Sequence, residues 1–481
     1  MDPVDSNSTP ASIRSEVDQE VRRLILLRRS GAEVLLLQHD SLCTLPSLII
    51  PRYQRVAECV TLEVEKRFGI SAYCLFSTAI PRRITASEGE ADCCFYDVMA
   101  CLEKDQLEPE ECVWCSADPL AQGLLPEDTL EAVRSAINTM REYVNAPATG
   151  PFGRPGWLQD ISGRAGKDIE PLGLRLSGQF KQFNSSPTFA LVRFETDGPA
   201  IWLKAVGEPN IREFPITQAI AELFPKYAPA VISTMPECHG WLSPEIEGME
   251  LSQTRDPRHW ESAAFALARL QIDSIGKQHV LLNAGARDLR AEVLVRVVEP
   301  FLLVMTQLMD EQLSVPPVRL TKAEISSLGG ELQRAFSLLR DSGVPETLGH
   351  LDLGPGNIIA SPEGCRFLDW AEAYVGFPFC SFEYLRRHFQ RYLGMDRHLE
   401  VRLIAAYTKP WLAVAAPETI AIAQTLAPML AVFFFAAGTD AWHDRDRLRD
   451  PKTAAYLRGL TRRLRREADE LSSGRSRCLS L

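Results

Sequence analysis

TLGHLDLGPGNIIASPEGCRFLDWAEA, residues 347–373, is the stretch from which the rest of the chain can be read. His350, Asp352, Asn357 and Asp369 stand in it among small and apolar residues. Residues 358–360 and 365–368 are short apolar runs on either side of the turn-forming SPEG, so they are expected to pair as a β-hairpin. At its open end Asn357 and Asp369 are expected to face each other across about 5 Å, a spacing that suits oxygen ligands sharing one divalent cation. Asp352 lies on the loop that enters the hairpin. Asp and Asn often merely cap turns. Phosphoryl transfer, however, asks for a carboxylate to orient and deprotonate the attacking hydroxyl, and for an amide and a carboxylate to hold magnesium on the phosphates. The order D-x-x-x-x-N, hairpin, D supplies all three.

A chemistry of this kind needs a cation on the nucleotide phosphates, and one is present upstream. In AIWLKAV Lys204 interrupts an apolar strand, where a charge is costly unless partnered. Glu213, at the start of a helical stretch in NIREFPITQAIAELF, is the leading partner, with Glu222 the alternative. Around them, LRLSGQFKQF, TFALVRFET and AIWLKAV read as strands, and the chain turns mainly helical from Arg212 onward. A sheet-rich lobe therefore precedes a helical one.

HLDLGPGN and LDW resemble the aminoglycoside phosphotransferase and choline kinase-like family of the kinase-like superfamily, whose catalytic loop reads H-x-D-x-x-x-x-N and whose metal-binding aspartate is followed by Trp. The resemblance covers roughly residues 175–460 and implies an α+β, two-lobed protein-kinase-like fold. It implies an ATP- and Mg2+-dependent transfer of the γ-phosphate to a hydroxyl of a small molecule. Asp352 becomes the base, Asn357 and Asp369 the Mg2+ ligands, His350 a support of the loop, and Lys204 with Glu213 the phosphate-binding pair. Ser185 and Ser186 lie where the family places its phosphate-covering loop, here the glycine-free QFNSSPT, and backbone near Glu245 would meet the adenine. Leu351 replaces a frequent Gly, and Gln271 replaces the His that ends a family helix. The acceptor would bind among the last helices.

The chain has 481 residues, a formal net charge of −11 and 46% hydrophobic residues, which suit a globular protein of more than one domain and not a general nucleic-acid binder. No basic, apolar leader opens it, and the apolar run at residues 426–438 is short and carries Pro428, so a cytoplasmic protein without a membrane span is expected. Self-association as a homo-oligomer stays open.

Five segments are expected: a disordered leader (1–17), an α/β domain (18–145), a Pro/Gly-rich linker (146–174), the kinase-like domain (175–470) and a tail (471–481). The second resembles a Nudix domain, with LEVEKRFGI in place of the Nudix helix. Lys66 and Arg67 stand where adjacent acids would hold magnesium, so no pyrophosphohydrolase activity is expected. Eight of the 12 cysteines fall between Cys43 and Cys115 and read as reduced, packed thiols; Cys112 and Cys115 lack a second C-x-x-C for structural zinc. The terminal CLSL formally fits a prenylation box, with a frayed tail the simpler reading. The glycine-free loop and the missing Nudix acids motivate an alternative, a nucleotide-binding pseudokinase acting as sensor or scaffold.

Overall fold

A computed structural model describes residues 19–28, 31–39, 42–51, 55–81, 93–102, 112–117 and 125–473. The expected leader and nearly all of the tail with its CLSL lie outside these residues. Two units emerge, one formed mainly by Val4–Phe214 and Val231–Glu245, the other by Pro215–Ala230 and Ile246–Leu481. The chain is a mixed α+β protein, sheet-rich in its N-terminal region and helical in its C-terminal region.

The first unit opens with β1 (Gln19–Arg28), β2 (Glu33–His39), β3 (Leu42–Thr44), β4 (Ser47–Pro51), α1 (Val56–Phe68), β5 (Ala72–Pro81), β6 (Cys93–Cys101) and β7 (Cys112–Ser116). These strands join in one sheet of order β3-β2-β1-β6-β5, with β4 on β1 and β7 on β2. β1 runs parallel to β6. Its apolar run LILL is continuous because both faces are covered. Leu24 and Leu26 pack with Val60 and Val64 of α1, while Ile25 and Leu27 turn to the opposite core. On β7, Cys112 and Cys115 are three residues apart along an extended strand, which points them to opposite faces.

α2 (Glu127–Asn145) and α3 (Trp157–Ile169) come next, and here the structure differs from the expected linker. Phe152, Trp157, Leu158 and Ile169 are buried. The glycines serve close approach, not flexibility: a Cβ on Gly150 or on Gly153 would come 2.2 or 2.4 Å from the Tyr143 ring. The Gly156 N–H donates to the Tyr73 hydroxyl at 2.7 Å, tying this segment to β5. A second sheet follows, built from β8 (Leu176–Gln182), β9 (Ala190–Thr196), β10 (Ile201–Ala205), β11 (Ser233–Met235) and β12 (Gly240–Pro244) in the order β11-β12-β10-β9-β8. Ala190, Val192, Phe194, Ile201 and Leu203 share one hydrophobic core with Ile25, Val98, Ile137 and Trp157. α4 (Glu213–Leu223) begins in this unit.

The second unit contains β13 (Met249–Glu250), α5 (Pro257–Asp273), α6 (Gln278–Asn283), β14 (Arg287–Leu289), α7 (Ala291–Asp310), α8 (Lys322–Ser342) and β15 (Thr347–His350). The hairpin β16 (Ile358–Ser361) and β17 (Gly364–Phe367), then β18 (Ala373–Gly376), precede α9 (Phe379–Leu393), α10 (Arg397–Trp411), α11 (Pro417–Gly438), α12 (Arg445–Arg449) and α13 (Pro451–Ser472). α11 is long and apolar enough to cross a membrane by length and composition, yet its most apolar window is 61% buried. Phe433 and Phe434 pack there against Phe301 and Phe336. The apolar run in α11 is therefore filled by helix packing.

Candidate active site

In the second unit, β15 delivers His350 to the end of a short sheet in which β18 pairs with β15 and β14. His350 is 1% exposed, and each of its ring nitrogens has a defined role. Nδ1 accepts the Asp352 N–H at 3.0 Å, so Nε2 carries the proton and donates to the Leu368 carbonyl at 3.1 Å. The imidazole thus ties the loop that holds Asp352 to Leu368, the residue just past β17. Leu351 packs into the core beside it, 5% exposed, so the departure from Gly costs the loop nothing in solvation.

The Asp352 carbonyl accepts the Gly354 N–H at 2.8 Å and the Asn357 Nδ2–H at 3.0 Å. Its backbone is thereby held from both directions, and its carboxylate is left to act. That carboxylate accepts a hydrogen bond from the Tyr384 hydroxyl on α9 at 3.1 Å. Burial first, and then the Asp352 charge, push the Tyr384 phenol well above its ordinary range, so it stays a donor. No feature of the sequence read alone had singled out Tyr384; only the packing of α9 on this loop identifies it. α9 is itself anchored by Glu383, 3% exposed and held by Arg386 and Arg387, each at 2.8 Å. Burial pushes the Glu383 carboxyl up, and the two guanidiniums more than offset it, leaving it below its ordinary value.

The hairpin forms as expected, but with a register shifted by one. Ile358 pairs with Phe367, and the Leu368 N–H donates to the Asn357 carbonyl at 2.9 Å. Asn357 therefore faces Leu368, and Asp369 lies one residue beyond. Asp369 is exposed and adopts a left-handed backbone, φ 62°, which Asp tolerates better than most side chains. Because the Asn357 amide nitrogen is spent on the loop, its oxygen is the end left for a cation. One amide oxygen plus one exposed carboxylate suits magnesium, which takes few protein ligands and fills its octahedron with water and phosphate oxygens. Among the described residues no group of three or more His, Cys, Asp or Glu is placed to hold a metal, so a site built wholly from protein ligands of those types is not offered.

The expected phosphate-binding lysine lies in the first unit. Lys204 Nζ lies 2.5 Å from Glu213 Oε1, with the Glu213 side chain only 2% exposed. This is the expected partner. On β10 the pattern alternates, Ile201, Leu203 and Ala205 being buried, so Trp202 and Lys204 share the other face. The Trp241 ring lies 5.9 Å from the ammonium.

Three expectations look different in space. The Ser185 hydroxyl is buried beside the Cys74 thiol. Ser186 Oγ accepts the Thr188 N–H at 3.3 Å, an interaction internal to the β8–β9 loop. Glu245 spends its N–H on the Ala200 carbonyl at 2.8 Å and its carboxylate on Arg193 and Trp202, so an adenine contact through that N–H is closed.

No protein-family model matches the chain, and no curated protein matches it. Among solved structures it resembles a choline kinase from Cryptosporidium parvum at 14% identity and TM-score 0.45, covering 66% of this chain and 97% of that one. A Plasmodium vivax ethanolamine kinase matches at 13% identity and TM-score 0.41, covering 63% and 84%. A macrolide 2′-phosphotransferase from Brachybacterium faecium matches at 16% and 0.39, covering 62% and 98%.

Proposed function

We propose that this chain is an ATP- and Mg2+-dependent phosphotransferase acting on a hydroxyl of a small molecule, in a kinase-like fold. The carrying observation is the loop from His350 to Asp369, in which backbone and imidazole hydrogen bonds fix Asp352 while its carboxylate accepts a hydrogen bond from Tyr384. Asp352 orients the acceptor hydroxyl and takes its proton as the oxygen attacks the γ-phosphorus; the bond from that phosphorus to the β-phosphate bridging oxygen breaks, and ADP leaves. Asn357 and Asp369 would hold magnesium, which when bound neutralises charge on the phosphates. Lys204, fixed by Glu213, neutralises charge on the nucleotide phosphates. The N-terminal sheet is read as a degenerate Nudix-like domain: on α1, Lys66 lies 3.6 Å from Glu63, so the one fitting acid is paired with a cation where a metal would be wanted. We place the protein in the cytoplasm.

Thermal stabilisation by ATP with and without magnesium tests this, because a ligand that binds only the folded state raises apparent stability. A magnesium-dependent shift in wild type that disappears in Asp369→Ala is expected. No shift in wild type would remove both the phosphotransferase and the nucleotide-sensor readings; a shift with no product from any hydroxyl compound in a metabolite mixture would leave the pseudokinase.

A further inference from the structure

The β8–β9 loop, FNSSPTF at residues 183–189, contains no glycine, and in the phosphotransferase reading it is the loop that would cover the nucleotide phosphates. Strand register locates it. Lys204 pairs with Leu191, and the Phe183 N–H donates to the Leu191 carbonyl at 2.9 Å, so Phe183, Leu191 and Lys204 form one row across three strands. Neighbouring strands lie about 5 Å apart, which puts the start of the loop roughly 10 Å from the lysine backbone. Phe183 also stacks on Trp202, ring centroids 4.9 Å apart, and Trp202 lies on the lysine's face of β10.

The loop is held from outside its own sheet. Gln182, 3% exposed at its edge, makes a two-point contact with the backbone of Cys74 in β5. The Cys74 N–H donates to Gln182 Oε1 at 2.7 Å, and Gln182 Nε2 donates to the Cys74 carbonyl at 3.0 Å. This contact is possible because the β5–β6 register shifts between Cys74 and Phe76, interrupting the ladder where the amide inserts. The Phe152 N–H donates to the Pro187 carbonyl at 3.0 Å. The Arg55 guanidinium, at the start of α1, covers the Phe183 ring at 5.0 Å. Inside the loop, Asn184 Nδ2 donates to the Phe189 carbonyl at 2.7 Å, and Asn184 Oδ1 accepts the Leu191 N–H at 2.5 Å. A glycine-rich loop would gain its fit through freedom; this one is fixed on three sides before any ligand arrives.

We propose that the N-terminal region is a brace for the β8–β9 loop, with Gln182 its positioning residue, so that nucleotide phosphates meet a preformed loop beside Lys204. The inference rests on the phosphotransferase reading. A brace lowers the ordering cost of binding, and its loss should appear in phosphate recognition and spare the nucleoside. Gln182→Leu in the full chain is expected to weaken Mg-ATP binding about tenfold, the equivalent of roughly one hydrogen bond to a charged group, while adenosine binding changes less than about twofold. Amide exchange over residues 183–190 should accelerate without ligand. Equal weakening of ATP and adenosine, or unchanged ATP binding in a folded variant, would overturn the brace. If Gln182→Leu does not fold, the exposed Arg55→Ala decides: selective weakening of Mg-ATP supports the brace, and unchanged binding removes it. Lys204→Ala separates the two ideas, since ATP binding that survives this change sinks the phosphotransferase reading, whereas its loss beside unaffected Gln182 and Arg55 variants sinks the brace alone.

Discussion

Tyr384 and His388 sit one turn apart on α9 with ring centroids 4.9 Å apart, and both answer to their burial. The Tyr384 hydroxyl fixes the rotamer of the Asp352 carboxylate. Tyr384→Phe should therefore lower kcat about tenfold with the nucleotide KM unchanged, the cost of roughly one hydrogen bond to a charged acceptor, measured once an acceptor is in hand. His388 titrates abnormally: burial first and the Arg391 charge second push it down from 6.5 to about 4. The folded chain thus keeps a neutral imidazole where the unfolded chain takes a proton. Stability is full above the unfolded value and falls between about pH 6.5 and about pH 4, by at most about 3 kcal/mol. Urea titrations at pH 7 and pH 4.5 should show this loss in wild type and a smaller one in His388→Gln. At this scale the sequence named Asp352, Asn357, Asp369, Lys204 and Glu213, because their chemistry is expensive to place by chance in apolar surroundings. It did not name Tyr384, since a tyrosine in an amphipathic helix carries no mark of which side chain it will meet.

Among the elements, the hairpin β16–β17 was legible as a pair of apolar runs around SPEG, and its register was not. The turn uses only Pro362 and Glu363 between Ser361 and Gly364, which moves the pairing by one and sets Asp369 past the ladder in a left-handed turn. Register depends on the turn's backbone geometry, which composition does not specify. The β15–β18 pair shows how tightly such elements fix the site. A Cβ on Gly349 would come 2.1 Å from the Tyr374 ring. Tyr374 is fully buried and hydrogen-bonded to the Phe377 carbonyl at 2.9 Å and to Ser381 Oγ at 3.1 Å, and Ser381 in turn accepts the His350 N–H at 2.8 Å. Gly349→Ala should cost about 1–3 kcal/mol through overpacking and lower turnover further than its stability loss explains, read from kcat measured well below the melting temperature. Gln271 illustrates the opposite case. Its sequence reading as core is right in burial, at 0% exposed, but both ends of its amide are engaged, Nε2 donating to the Pro378 carbonyl at 2.9 Å and Oε1 accepting from the Tyr407 hydroxyl at 2.7 Å.

For the molecule as a whole, the division of the chain follows cores and not composition. The segment 146–174 reads as a linker by its Pro and Gly, yet Phe152, Trp157 and Ile169 lie in a core that joins the N-terminal sheet to β9 and β10. A fragment beginning at residue 146 would present Ile201, Leu203, Val192 and Phe194 without the strands and helix that share their core. It is expected to be insoluble or to lack a cooperative melt, and a soluble, cooperatively melting fragment in calorimetry would contradict this account of the first unit.

By itself, the sequence determined the strand-rich region ahead of the helical one, the hairpin around SPEG and the strand that carries Lys204, all of which are written in local patterns of polarity and turn residues, and it supplied the candidate residues of the proposed site. Tertiary structure alone decided that Tyr384 meets Asp352, that Ser185 turns inward, that Gln182 plugs the break in β5, and that glycines 150 and 153 embrace a tyrosine ring. The physical reason is the same in each case: a local pattern fixes which face a residue turns, whereas the partner on that face comes from a segment as many as 108 residues away, as Gln182 does to Cys74.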